Sequence, residues 1–251
     1  MKISIITATL NSSPHVASCV ESVLSQAGAD IEYIIIDGGS TDDTVDKIRS
    51  YNGKVTRLIS EPDQGMYDAL NKGIRAAKGE IIGFLHSDDI YMNEWVIKTA
   101  VDHIEKYGVE SCYGDLLYVD KCDTGKIVRY WKSGNYSREA FYNGWMPPHP
   151  TFFVRRSVYE KYGLFNLSIG SAADYELILR FMFKHGISTV YIPQIIVKMR
   201  MGGASNGTMK NRLRANRMDR LAWKVNGLKP KPWTLFLKPA RKIKQYFLKP
   251  E

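Results

Sequence analysis

Residues 80–89 read Glu80-Ile81-Ile82-Gly83-Phe84-Leu85-His86-Ser87-Asp88-Asp89. An apolar run stops abruptly at a histidine, a serine and two carboxylates. A short continuous apolar run is what a strand buried on both faces requires. Upstream, residues 66–78 carry a helical pattern that ends at Gly79, and downstream residues 93–107 do the same and end at Gly108. Glycine just past the last periodic residue is a helix stop signal. The same alternation fills the earlier chain. Residues 3–10, 31–36 and 55–60 read as strands. Ser13-Pro14 reads as N-cap and first helical position of a helix over 15–26, with Val16, Val20, Val23 and Leu24 on one face. Ser40 or Thr41 caps the next helix, with Asp42 and Asp43 at the positive end of its dipole. Strands separated by single helices imply right-handed crossovers and an α/β fold with a mostly parallel sheet.

The pattern changes after residue 111. Residues 111–119 and 126–131 read as a hairpin around Asp123-Thr124-Gly125. A helix near 137–142, a loop over 144–150, a strand over 151–154 and a short helix over 157–162 follow. Residues 172–185 form one amphipathic helix in this reading. Strands then fall at 189–192 and 195–199, and a basic helix at 207–225. The expected organisation is one domain over 1–205 with a Rossmann-like nucleotide-binding half (1–115) and a smaller mixed acceptor half (116–205). A basic helical extension follows over 206–251.

Net charge is +9, yet it is uneven: residues 206–251 hold 13 Lys+Arg and two acids, Asp219 and Glu251. A basic tail calls for an anionic partner, either nucleic acid or an acidic membrane surface. The three cysteines, Cys19, Cys112 and Cys122, form no C-x-x-C pair, which suits a reducing compartment and argues against a zinc site. No secretory signal and no run of about 20 apolar residues is evident, so a cytoplasmic protein, soluble or peripheral on the inner membrane face, is expected.

Ligands of open α/β sheets bind beyond the carboxyl ends of the strands. Those ends read Thr7-Ala8-Thr9-Leu10-Asn11, Asp37-Gly38-Gly39-Ser40, Glu61-Pro62-Asp63-Gln64-Gly65 and His86-Ser87-Asp88-Asp89. Three of the four carry carboxylates, which repel one another in a cleft unless a cation or donors compensate. Asp88-Asp89 suits Mg²⁺ or Mn²⁺, held by one or two carboxylates together with substrate phosphates. Asp37 can accept from a base N–H or ribose hydroxyls, or it can simply make an Asx turn. No G-x-G-x-x-G follows the first strand, which disfavours NAD or FAD.

These motifs, with Asp63-Gln64-Gly65-Met66-Tyr67-Asp68-Ala69-Leu70-Asn71-Lys72-Gly73-Ile74, resemble the bacterial family 2 glycosyltransferases of GT-A fold. That group builds colanic acid, O antigen and other surface polysaccharides, and the resemblance spans roughly residues 1–200. It implies transfer of a sugar from a nucleotide-diphosphate donor, UDP favoured, with inversion. By position it implies that Ala8 and Thr9 line the nucleotide site and that Asp37 holds the base. Gly65 and Asp68 would lie near nucleotide and sugar, Asp88 would face ribose or sugar, and Asp89 would ligate the metal. Asp174, at a helix start, would deprotonate the acceptor hydroxyl; it can equally cap that helix. His149 resembles a family position near the acceptor, and Trp145 is a candidate to stack on a sugar ring. Ser87 replaces the first acid of a strict D-x-D, Ala8 a frequent proline, and Ala173 the first acid of a Glu-Asp pair. The loop over 199–206, with Gly202-Gly203, reads as able to close over the donor.

In the tail, Pro239 reads as the first residue of a short helix with Ala240, Ile243 and Phe247 on one face among Arg241, Lys242 and Lys244, as in an interfacial segment. That suits an acceptor carried on a polyprenyl diphosphate. Three other readings compete. A sugar-phosphate nucleotidyltransferase would need a Gly-rich basic loop where residues 8–14 have neither glycine nor base. A nucleic-acid binder would show a recognition module, and none is seen. A non-catalytic sugar-binding scaffold would not need Asp89 and Asp174.

Overall fold

A computed structural model describes residues 1–202 and 209–250. Their strands form one sheet: β1 (Lys2–Thr9), β2 (Asp30–Asp37), β3 (Arg57–Ser60), β4 (Ile81–Phe84), β5 (Ile90–Tyr91), β6 (Ser111–Val119), β7 (Ile127–Trp131), β8 (Phe153–Arg155) and β9 (Thr189–Arg200). The order is β3-β2-β1-β4-β8-β6-β9-β5, with β7 paired to β6. β3, β2, β1 and β4 run parallel. β8 is antiparallel to both β4 and β6, so the sheet becomes mixed where the second half begins.

The helices α1 (Val16–Leu24), α2 (Thr44–Arg49), α3 (Met66–Ala76) and α4 (Val96–Tyr107) connect the first half. The second half carries α5 (Arg138–Tyr142), α6 (Arg156–Tyr162), α7 (Ala173–Ile178), α8 (Met209–Val225) and α9 (Thr234–Lys244). Alternation along β1 explains its unbroken apolar run. Ile3 and Ile5 pack with Val20 and Ile97 on one face, and Ile6 and Ala8 with Leu70 and Ile74 on the other. Each fully buried side chain of this size contributes about 1.5–3 kcal/mol, so both faces must be covered.

The second half departs from the sequence reading in three places. The two strands expected at 189–192 and 195–199 are one strand, β9. Tyr113 pairs with Tyr191, but Asp115 pairs with Ile195, so the extra residues around Pro193 are absorbed in a bulge. Gly114 lies opposite; a Cβ there would sit 2.2 Å from Ile196 Cγ1. The helix expected over 172–185 is α7 followed by wider π-type turns over Leu179–Lys184, seen in the His185 N–H bond to the Arg180 carbonyl.

The third departure concerns the extension. Trp223 is fully buried, stacked 5.4 Å from Tyr142, and its Nε1–H donates to the Tyr175 hydroxyl at 2.8 Å. Ala222, Trp223 and Leu235 of this segment thus pack into the core of the second half. The loop over 199–206 and the start of the basic helix fall partly outside the described residues. Among the described residues no helix is long and apolar enough to cross a membrane.

Candidate active site

The loops after the parallel strands are laced into one rim. Gly38 N–H donates to the Thr9 carbonyl at 2.9 Å, and Glu61 N–H to the Asp37 carbonyl at 3.0 Å. Asn11 N–H donates to Ser40 Oγ at 2.8 Å, and its Oδ1 accepts from Thr41 N–H at 2.9 Å. The Ser12 and Ser87 hydroxyls are 2.8 Å apart, which ties the β1 loop to the β4 end. Gly38 allows the third loop to approach, since a Cβ there would lie 2.5 Å from Asp63 Oδ2.

Each expected donor-site residue sits on or beside this rim. Ala8 and Thr9 end β1; Thr9 is 4% exposed and its hydroxyl has no hydrogen-bond partner among the described residues. Asp37 is fully buried. Its Oδ2 accepts from the N–H groups of Gly39 (3.1 Å) and Ser40 (3.0 Å) and from the Ser60 hydroxyl (2.7 Å), and its Oδ1 from the Ser40 hydroxyl. That carboxylate holds its own turn together, the Asx-turn alternative of the sequence reading, while its Oδ1 accepts from the Ser40 hydroxyl alone. Gly65 opens α3 at φ +103°, a region that favours glycine. Asp68 accepts from Gln64 N–H at 3.1 Å and so tethers the loop to the helix start.

Asp88 and Asp89 follow β4. Asp89 is fully buried, its Oδ1 accepts from Arg200 N–H at 3.3 Å, and its Oδ2 has no hydrogen-bond partner among the described residues. Burial, with Asp88 adding to it, pushes the Asp89 carboxyl well above the ordinary range. Arg200 also donates to the Asp88 carbonyl at 2.5 Å and to the Ser18 hydroxyl at 3.1 Å. It therefore fixes this turn from the end of β9. Arg200 was not singled out from the sequence, because its nearness to the two acids depends on β9 pairing with β5 just after them.

On the far side of the rim, Asp174 begins α7. Its Oδ1 accepts from Tyr175 N–H at 2.7 Å, and its Oδ2 lies 3.2 Å from His149 Nδ1. His149 Nε2 is 2.7 Å from His86 Nε2. Burial pushes both imidazoles down to about 4, and for His86 the His149 neighbour adds to the effect. Both rings are therefore neutral at pH 7, and the His149–Asp174 contact is not an ion pair. Tyr67 lies beside Asp174, and burial, with the Asp174 charge behind it, holds its phenol well above the ordinary value. In the sequence His86 is only the first polar residue after an apolar run, and nothing local marks its contact with His149.

Trp145 is a correction. It is 4% exposed, donates from Nε1 to the Ser133 carbonyl at 2.7 Å, and packs against Tyr113, Tyr136 and Phe141. It belongs to the core and has no ring face to offer a sugar.

Comparison with known proteins identifies the family and the fold. An uncharacterised glycosyltransferase of Mycobacterium tuberculosis is 35% identical over 185 residues, covering 71% of this chain and 68% of the relative. A PGL/p-HBAD biosynthesis glycosyltransferase of Mycobacterium bovis is 28% identical over 208 residues, covering 81% and 78%. In fold, the S. aureus TarS structure in complex with UDP-GlcNAc superposes with a TM-score of 0.69 at 17% identity, covering 98% of this chain and 73% of that one. A mannosyltransferase from Pyrobaculum calidifontis in complex with GDP-Man and Mn²⁺ gives 0.66 at 18%, covering 94% and 67%. These neighbours share the GT-A fold. The family described as Glycosyl transferase family 2 matches residues 4–163, and the chain belongs to it.

Proposed function

We propose that the chain is an inverting transferase that moves a sugar from a nucleotide-diphosphate donor, a UDP-sugar favoured, to a hydroxyl of a glycan or lipid-linked glycan in cell-surface polysaccharide biosynthesis. The observation that carries this reading is the convergence of the polar strand ends with Asp174, joined across the crevice through His149 and His86. Neighbours of the same fold hold UDP-GlcNAc and GDP-Man, which supports a nucleotide-sugar donor.

The chemistry needs one displacement. The acceptor oxygen forms a bond to the anomeric carbon while the bond to the diphosphate breaks, and its electron pair leaves with the diphosphate. Asp174 takes the acceptor proton; a positioned base of this kind contributes about 10²–10⁴-fold. Attack opposite the leaving group inverts the centre, and no covalent nucleophile is needed. Among the described residues no group of three or more His, Cys, Asp or Glu is gathered to hold a metal alone. The orphaned, buried Asp89 Oδ2 beside Asp88 fits a cation that completes its shell with substrate phosphates. When bound, Mg²⁺ or Mn²⁺ neutralises charge on the leaving diphosphate.

The C-terminal helix supports membrane contact. α9 turns Lys238 inward, 2.7 Å from Asp219 and over the Tyr175 ring, while Phe236 and Ile243 on it and Phe247 just beyond it are 70%, 61% and 81% exposed. An apolar ridge among Lys and Arg suits an anionic bilayer.

The test is transfer itself. The enzyme is incubated with UDP-sugars, Mn²⁺ and a lipid-linked acceptor extract, UDP release is followed, and the anomeric configuration of the product is read by NMR. Inverted product supports the reading; a retained anomer would overturn the single displacement.

A further inference from the structure

His86 follows β4, and His149 opens the single turn that leads into β8. β4 and β8 are hydrogen-bonded neighbours, so residues 63 positions apart meet at the crevice. The two rings lie 4.9 Å apart between centroids, with Nε2 facing Nε2 at 2.7 Å. Such a contact holds one proton: with two the N–H groups collide, and with none the lone pairs do. A carboxylate only accepts, so the 3.2 Å contact to Asp174 puts the His149 proton on Nδ1. His149 Nε2 is then the acceptor, and His86 donates from Nε2. One tautomer of each ring satisfies the whole chain.

We propose that His149 and His86 are positioning residues for sugar transfer: His149 orients the Asp174 carboxylate, and His86, from the donor-site strand end, locks the His149 tautomer. This rests on Asp174 being the base. His149 is not itself the base in this arrangement, because its Nε2 is engaged by His86. Asp174 has two further anchors of position: Tyr175 N–H holds Oδ1, and Tyr67 stands beside it. Two of these contacts reach the donor half, from Tyr67 and from the histidine pair, and it is the pair that ends on the β4 turn. Its arrangement means that the base is set in register with the turn that carries Asp88 and Asp89.

The proposal is tested by steady-state kinetics on the full chain, with donor affinity measured separately by calorimetry. His149→Ala is expected to lower kcat by about 10–100-fold, as loss of other outer-shell positioning groups does, with donor Kd and donor KM unchanged. His149→Asn, whose amide N–H falls near that of Nδ1, should recover most of the loss, whereas His149→Gln should not. His86→Leu should lower kcat in the same way, and adding it to His149→Ala should cost little more, because His86 acts only through His149. Wild-type kcat in His149→Ala, additive losses in the double variant, or an Asn variant no better than Gln while donor binding is intact would each overturn it. If His149→Ala fails to fold, the Asn–Gln comparison decides alone. Asp174→Asn separates the two levels: full turnover in that variant sinks the base reading, whereas a dead Asp174→Asn beside a fully active His149→Ala sinks only this proposal.

Discussion

Asp174→Asn removes the acceptor's base while keeping its shape. The Asn Oδ1 can still accept from Tyr175 N–H, which bonds Asp174 at 2.7 Å. Its amide N–H₂ then faces His149 Nδ1, 3.2 Å away in the native protein, so two donors meet. The conflict is relieved by an amide flip or by reversing the tautomers along His149 and His86, at a cost of about 1 kcal/mol for one hydrogen bond. For a chain of this size that lowers Tm by roughly 2–4 °C. The chemical effect is larger. Loss of a general base is expected to lower kcat by about 10²–10⁴-fold, equal to roughly 3–5 kcal/mol of transition-state stabilisation. Donor affinity should hold, because Asp174 lies on the second half and none of the rim hydrogen bonds uses it. The assay is UDP release at saturating donor, paired with calorimetric donor Kd and a thermal melt. A kcat within tenfold of wild type, or a donor Kd weakened by the same factor as turnover, would refute the assignment.

The remaining predictions concern stability and docking. Glu176 is 2% exposed and paired with Arg180 at 3.0 Å, so Arg180→Met strands a buried carboxylate; about 3–5 kcal/mol should be lost, read as a Tm fall of roughly 10 °C, and a fall under about 2 °C would contradict it. His86 and His149 titrate at about 4 in the fold, lowered by burial from an ordinary 6.5 while Asp88 and Asp174 act the other way on His86. The unfolded chain therefore binds more protons between those values, and stability should be full above pH 6.5 and fall as pH drops toward about 4. Denaturant midpoints at pH 7.5 and 5 should show this, and His86→Gln should shrink the difference; an equal drop in both proteins would argue against the pair as its source. Replacing Phe236 and Phe247 by Ser should abolish sedimentation with phosphatidylglycerol vesicles and leave transfer to a soluble acceptor intact. Unchanged sedimentation would move the contact elsewhere.

Much of the first half was legible because local signals and tertiary demand coincide there. An unbroken apolar run such as residues 81–85 is a strand only if both faces are covered, and the helices that cover them were marked by their own stops at Gly79 and Gly108. The polar strand ends followed directly. The second half was less legible because its elements depend on partners far along the chain. β9 looks broken at Pro193 unless Gly114 is known to face it. Trp145 and Trp223 look alike in sequence to any surface aromatic, yet both are buried and donate Nε1–H to fixed acceptors. Asp37 reads in sequence either as a ligand for the base or as a turn former, and only loop closure shows the four donors of its own chain that it accepts from. The His86–His149 contact depends on two strands pairing across 63 residues, and no local pattern encodes it.

The measurement that bears most directly on the central claim is calorimetric titration of the folded chain with UDP, GDP and dTDP, each with Mn²⁺ and with chelator. The account predicts that one nucleotide, UDP foremost, binds with Mn²⁺ and weakens sharply with chelator or in Asp89→Asn. Absence of binding by all three, in protein shown to be folded, would contradict a nucleotide-sugar site at these strand ends.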